Sequence, residues 1–311
     1  MTATIDRRAH PDGAAFSEWA AADGWKLRRM DWPAPADAAA RGTLLFAGGR
    51  GDFIEKYLEA MAHWHGRGWS LAAFDWRGQG ASRGDGTGGH LDSLDPLVDD
   101  LAAIVGELEA KRQGPLAIVG HSMGGHVLLR ALVERRVEPA AAVLVAPMLM
   151  INAAPLPAWA AWWTASLLAT FGWRRQPVWR TPPSSPSPTA SRPQFLTSCA
   201  ERYADELWWW EREPGFNVGA PSWGWLDAAF RSCAGLTAER LRTVETPTLL
   251  LGTETDRLVS AAAIRRAAAA LPKARLKMFG QAGHEILREA DPVRLEALAA
   301  IDAFLDEFAS P

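Results

Sequence analysis

The sequence predicts an α/β fold, a mostly parallel central sheet with helices on both faces, interrupted by an inserted helical and irregular cap. Three observations carry that prediction. Short apolar runs alternate with stretches of helical spacing toward both ends of the chain, several runs close in glycine-rich turns, and a segment from about 147 to 241 breaks the rhythm. Strands alternating with helices give parallel connections, and a parallel sheet covered on both faces is built from nearly continuous apolar strands.

The first such strand is Gly42-Thr43-Leu44-Leu45-Phe46-Ala47, closed by Gly48-Gly49-Arg50-Gly51. A helix is expected over about 53–65, followed by a second strand over 69–75. That strand ends in Arg77-Gly78-Gln79-Gly80-Ala81-Ser82, too rich in glycine to stay regular. Residues 91–112 have helical spacing, with Asp92 or Asp95 as N-cap and Pro96 in the first turn. Further strands are read at 116–119, 143–146, 248–252 and 275–279. The resulting division is a core of residues 1–146 and 242–311 and a Trp-rich cap of residues 147–241.

The centre of that cap, Thr181-Pro182-Pro183-Ser184-Ser185-Pro186-Ser187-Pro188, is expected to be an extended, mobile loop. Most of the 16 tryptophans lie between Trp159 and Trp225. They are read either as packing for the cap or, for Trp159, Trp162, Trp163 and Trp223 in particular, as the lining of a substrate channel. From Pro139 through Trp173 the chain carries no charge. Pro147, Pro155 and Pro157 interrupt this stretch and leave less than the roughly 20 apolar residues a spanning helix needs. Peripheral membrane contact is the alternative there, supported by Arg174, Arg175 and Arg180 immediately after it.

A formal net charge of −3 and the absence of a basic block give no reason to expect nucleic acid as a partner. The polar first residues lack the apolar stretch of a secretory signal, so the expected compartment is the cytoplasm. Cys199 and Cys233 have no CxxC spacing and no neighbouring histidine pairs, which argues for a buried reduced pair and against a metal site.

The chemistry centres on Leu116-Ala117-Ile118-Val119-Gly120-His121-Ser122-Met123-Gly124-Gly125-His126, an apolar run, a Gly-x-Ser-x-Gly-Gly turn and a helix-like stretch. Small residues at Gly120 and Gly124 allow a sharp bend from strand into helix that lifts the Ser122 hydroxyl out of the sheet. A serine hydroxyl is a weak nucleophile and needs a histidine base, itself oriented by an acid. Asp256 follows one late strand and His284 the next, so both lie at strand C-terminal ends, where parallel α/β proteins bind ligands. Glu254, in the same loop as Asp256, is the rival for the acid. His10, His63, His65, His90, His121 and His126 are read as structural or exposed, with His121 turned away from Ser122. Two amides are needed for an oxyanion, and Met123 and Arg50 are the candidates. The Arg50 side chain is expected in solvent, with a phosphate contact as the alternative.

Together with the glycine loop through Tyr57, the run 75–82, Asp256-Arg257-Leu258-Val259 and Gly283-His284-Glu285, this turn resembles the monoacylglycerol lipase and bacterial lysophospholipase branch of the α/β-hydrolase superfamily. The resemblance implies a serine ester hydrolase acting on lysophospholipid or monoacylglycerol, without metal or organic cofactor. It assigns Ser122, Asp256 and His284 to a triad, with Arg50 and Met123 as oxyanion donors. The chain departs from many relatives at Gly48-Gly49, where they carry His-Gly, and at Ser260, where an acid is frequent. The alternatives are a broad esterase or acyltransferase for small esters and a binding protein that has kept the fold.

Overall fold

The apolar runs read from the sequence are the strands of an eight-stranded sheet in a computed structural model that describes residues 5–84, 89–111, 114–179 and 195–310. Strands β3 (Gly42–Ala47), β4 (Trp69–Phe74), β5 (Leu116–His121), β6 (Ala141–Val145), β7 (Thr248–Thr253) and β8 (Ala274–Phe279) run parallel. Their order explains the apolar sequences. β5 and β6 are central and buried along their whole length, so neither face has a polar requirement.

Alternate side chains feed two cores. Leu45, Ile118, Leu144 and Leu250 point into the layer filled by α2 (Asp95–Lys111), α3 (Met123–Val133) and, beyond β7, α8 (Ala261–Ala270). Leu44, Phe46, Val119 and Val143 point the other way, against α1 (Leu58–His65) and α9 (Asp291–Phe308). These helices cover the two faces, as the α/β reading requires.

Two strands escaped the sequence reading. β1 (Ala15–Ala20) and β2 (Lys26–Trp32) form an antiparallel hairpin, with β2 also antiparallel to β4, and extend the sheet at one edge. Glu18, Lys26, Arg28, Arg29 and Asp31 gave them a charged appearance. The sheet hides part of that charge: Arg28 makes a paired contact with Glu55 at 2.7 Å on both nitrogens and donates to Asp75 at 2.8 Å. Two smaller expectations are corrected. A 3₁₀ turn (Ile54–Tyr57) precedes α1, and α2 begins at Asp95 with Asp92 turned aside to pair with Arg174 at 3.0 Å. Cys233 is buried but Cys199 is only half-buried, and both are free thiols.

Between β6 and β7 stand α4 (Ala158–Leu168), α5 (Ala200–Arg212), α6 (Trp223–Ala234) and the short α7 (Ala238–Leu241). α4 packs along α6, where Trp162 Nε1 donates to Asp227 at 3.2 Å. Trp209 and Trp210 of α5 join Phe53 and Phe216 in a small core of their own. The proline-rich run 181–188 and Arg180 lie outside the described residues.

The turn from β5 into α3 is packed backbone on backbone. A methyl group at Gly124 would stand 2.2 Å from the Ala47 carbonyl oxygen and 2.4 Å from that of Gly48. Neither oxygen can retreat without breaking the sheet, so Gly124→Ala is expected to cost about 3 kcal/mol or more. A urea midpoint within error of the parent protein would refute this.

Candidate active site

Ser122 caps α3 with φ 50° and ψ −112°, a left-handed conformation unusual for a residue with a side chain. It is held there from both directions. Its N–H donates to Val145 at 2.9 Å, and its carbonyl accepts from His126 and Met148, both at 3.0 Å. The strain turns Oγ outward at the C-terminal edge of the sheet, beside the start of α3.

His284 reaches the same point from the loop after β8. Its own N–H donates to Phe195 at 2.9 Å and that of Glu285 to Leu196 at 2.7 Å, which fixes the loop against the segment before α5. Gly283 is required there, because a side chain would meet the Leu196 carbonyl oxygen at 2.4 Å. His284 Nε2 lies 2.8 Å from Ser122 Oγ, and Nδ1 lies 2.7 Å from Asp256 Oδ2. Asp256 is fixed in turn, since its Oδ1 accepts from Leu258 at 2.8 Å and Val259 at 3.0 Å. A carboxylate only accepts, so Nδ1 carries the proton and Nε2 is left to accept from the serine.

The electrostatics match that assignment. Burial favours neutral imidazole, but the Asp256 carboxylate outweighs it, helped by Glu285 and Asp52, and the His284 pKa rises above the ordinary histidine value. Burial likewise works against ionised Asp256, and His284 with the Leu258 and Val259 amides overcomes it, leaving its pKa below the usual range. Glu254 is not part of the site. It is ion-paired with Arg265 on α8, outside the buried chain of contacts.

The two other candidate residues border the serine. Met123 follows it directly, and the glycine loop lies so close that a side chain on Gly49 would stand 2.9 Å from Ser122 Cβ. Arg50 is not in solvent as expected. Its Nη1 donates to the Gly219 carbonyl at 3.1 Å, its guanidinium lies 5.2 Å from the Trp225 ring, and it lines a cavity that opens on Ser122 and His284. The cavity holds about 690 Å³ and is walled mainly by apolar side chains.

Of the four tryptophans expected to line it, only Trp223 does, and Trp179, Trp210 and Trp225 take the other places. Trp162 packs on α6, and Trp159 and Trp163 are 67% and 72% exposed. α4 is apolar all round, so its sequence carried no signal of which side faces inward.

A buried ionic cluster lies beneath the site and was missed entirely. Lys56 Nζ is 2.9 Å from Asp52, 2.6 Å from Glu285 and 3.3 Å from Glu206. Arg288 closes the cluster on Glu206 at 2.9 Å and on Glu285. Asp52 Oδ2 also takes the Gly49 N–H at 2.5 Å and His121 Nδ1 at 2.7 Å, and His121 Nδ1 lies 2.9 Å from the Tyr57 hydroxyl. His121 is held by these contacts, but it is not remote from the site, since its ring packs 5.0 Å from that of His284 and borders the same cavity. The i, i+4 spacing of Asp52 and Lys56 was the available sign, but in sequence it reads as an ordinary surface pair.

The model of the family described as serine aminopeptidase, S33, matches residues 38–291. The chain belongs to this family of hydrolases. It is 26% identical to the probable lysophospholipase L2 of Haemophilus influenzae over 277 residues, covering 87% of this chain and 85% of that one. Identity to lysophospholipase L2 of Escherichia coli K12 is 29% over 288 residues, covering 85% and 80%. The structure of a soluble variant of Saccharomyces cerevisiae monoglyceride lipase, in complex with a substrate analogue, superposes with TM-score 0.75 at 18% identity, covering 98% of this chain and 99% of that one. This likeness agrees with the sheet in showing the α/β-hydrolase fold.

Lys56 compensates three buried carboxylates, so its removal leaves charge that water cannot reach. Lys56→Met is expected to lose about 3–5 kcal/mol of stability. A loss below about 1 kcal/mol in chemical denaturation would show that Arg288 alone neutralises the cluster.

Proposed function

We propose that the protein is a serine carboxylic ester hydrolase for monoacyl lipids, with Ser122 as nucleophile, His284 as base and Asp256 as its orienting acid. The observation that carries this reading is the unbroken hydrogen-bond chain Asp256–His284–Ser122 opening into a large apolar cavity. Ser122 Oγ attacks the ester carbonyl carbon while His284 Nε2 takes its proton. The carbonyl oxygen becomes an oxyanion received by the Met123 and Arg50 amides. Collapse breaks the ester C–O bond, the leaving alcohol takes the proton from His284, and the acyl group remains on Ser122. Water then attacks with His284 again as base, releasing the acid. The chain's similarity to proteins named lysophospholipase L2 supports a monoacyl substrate, and the volume of the cavity suits one acyl chain. On this reading residues 147–241 are the cap over a core of 1–146 and 242–311.

Contact with a lipid surface is part of the proposal. No helix among the described residues is long and apolar enough to cross a membrane. Ala161 and Thr164 of α4 face the cavity, whereas Trp159, Trp163, Leu167, Phe171 and Trp173 are exposed beside the exposed Arg175. An uncharged apolar face edged by a cation suits the boundary of an anionic bilayer, with the acyl chain passing along the same helix.

Ser122→Ala is expected to abolish hydrolysis of monoacyl lipids and labelling by a fluorophosphonate; wild-type rates in that variant would end the proposal. Because Asp256 raises the His284 pKa, activity is expected to fall with acid around a midpoint above about 6.5. Asp256→Asn removes the raising charge and leaves burial, so the midpoint should move to lower pH while kcat drops by about four orders of magnitude. A pH–rate profile with an unmoved acid limb would separate Asp256 from this role.

Sedimentation with anionic vesicles at low salt tests the surface. The Trp159→Ser, Trp163→Ser double variant is expected to bind less than the parent, and equal binding would place the contact elsewhere.

A further inference from the structure

The loop that carries His284 is held by more than its contacts with Asp256 and Ser122. Residues 195–198, which precede α5, bond one after another to residues 284–289. The Phe195 and Leu196 carbonyls accept from His284 and Glu285 at 2.9 and 2.7 Å, Thr197 Oγ1 donates to the Arg288 carbonyl at 2.7 Å, and Ser198 donates to the Glu289 carboxylate. Glu289 is the charged member of this set and is 1% exposed. Its Oε2 accepts from the N–H groups of Ser198 and Ala290, both at 3.0 Å, and from the Ser198 hydroxyl, while its Oε1 accepts from the Gly283 N–H. A buried carboxylate needs such donors, and an amide bound to it is held about twice as strongly as one bound to a neutral carbonyl.

We propose that Glu289 is a positioning residue for His284, a clamp that ties Gly283, the residue before the histidine, to Ser198 and so sets where the imidazole stands. This rests on the ester-hydrolase reading, in which His284 is the base. The amides of 283, 284 and 285 are all committed, the first to Glu289 and the next two to the carbonyls of Phe195 and Leu196. Glu289 is itself anchored through its main chain, because Arg202 Nη1 donates to its carbonyl at 2.7 Å. The imidazole has to meet Asp256 at 2.7 Å and Ser122 at 2.8 Å together. A displacement of about 1 Å in such a group costs up to about a hundredfold in rate, even when its cause lies away from the reacting atoms. Reach matters more than charge here, since one side chain must span from Gly283 to Ser198.

Two substitutions separate reach from charge. Glu289→Gln keeps the length, an oxygen for the Gly283 N–H and an amide that can donate to Ser198 Oγ. Glu289→Asp keeps the charge but is one methylene too short to hold both partners. The readouts are kcat and KM for nitrophenyl octanoate, with active sites titrated to completion by a fluorophosphonate. Glu289→Gln is expected to lose about threefold in kcat and Glu289→Asp about thirtyfold or more, with KM within about twofold of the parent in both. Parental kcat per active site in Glu289→Asp overturns the clamp. A larger loss in Glu289→Gln than in Glu289→Asp also overturns it, by making charge the requirement, and so does a change confined to KM.

Ser198→Ala provides a milder arm that holds if the Glu289 variants do not fold. It removes the hydroxyl donor and leaves the Ser198 N–H, so kcat is expected to fall about two- to threefold at constant KM, and an unchanged kcat counts against the clamp. Wild-type protein that neither hydrolyses the ester nor takes the fluorophosphonate would instead remove the ester-hydrolase reading itself.

Discussion

One steric constraint stands behind the site: β5 has to become α3 within a single residue while β3 passes at backbone contact distance. Gly120, Gly124 and Gly125 meet it by having no side chains. A methyl group at Gly120 would lie 2.8 Å from the Gly124 backbone, and one at Gly125 would lie 2.9 Å from the Gly120 carbonyl oxygen. With those positions closed, the whole bend falls on Ser122, whose left-handed backbone costs about 1–3 kcal/mol. The cost is carried by neighbours. Val145 receives the Ser122 N–H, and His126 and Met148 donate to its carbonyl, so leaving the strained conformation would forfeit three hydrogen bonds in the buried centre of the sheet. A side chain on this turn has little freedom, so the single contact of Ser122 Oγ with His284 Nε2 at 2.8 Å has a fixed geometry, as the proposed attack by Ser122 needs.

The loops that complete the site are held by close backbone approaches at Gly49 and Gly283 and also by charge. Asp52 folds the glycine loop by accepting the Gly49 N–H, and Glu285 is the residue next to His284. Lys56 joins the two and also holds Glu206 on α5. Burial would depress a lone ammonium, but the three carboxylates raise the Lys56 pKa instead, so the charge persists. One cation thereby couples the glycine loop, the histidine loop and a helix inserted between β6 and β7. Such a cluster adds little to stability compared with an apolar core of equal volume, yet removal of a single member is costly. Its contribution is positional: the partners must meet in one arrangement.

How much of this could be read from sequence depended on whether a residue's role was written in its neighbours. β3 to β7 were legible because a strand buried on both faces is apolar nearly throughout, whereas β8 is an edge strand that keeps Arg275 and Lys277, and Ser122, Asp256 and His284 each stand after the end of one of these strands. The hairpin β1–β2 was not, since an edge ribbon with solvent on one side admits Glu18 and Lys26, and only the folded sheet shows Arg28 turned inward onto Glu55 and Asp75. Lys56, Glu206 and Arg288 were illegible for a related reason. A charged residue in sequence is by default a solvated one, and their partners stand up to 229 positions away, as Lys56 and Glu285 do. The Arg50 side chain, expected in solvent, lies instead along the cavity, because the carbonyl and ring that draw it inward belong to a segment about 170 residues downstream.

α4 presents the reverse problem, a helix whose sequence says too much. A helix apolar on every side is ordinarily a buried one, yet only Ala165 of α4 is buried. Small residues, Ala161 and Thr164, face the cavity, where bulk would fill the space for an acyl chain, and the indoles of Trp159 and Trp163 face outward. Packing cannot account for that distribution, because packing would place the large rings inside and the alanines at the rim. The proposed function supplies an apolar phase for each side of the helix, substrate on the inner face and lipid on the outer, and that would produce this distribution. On that proposal the charge-free run from Pro139 to Trp173 meets two separate demands, a buried β6 followed by a helix that would have no aqueous side.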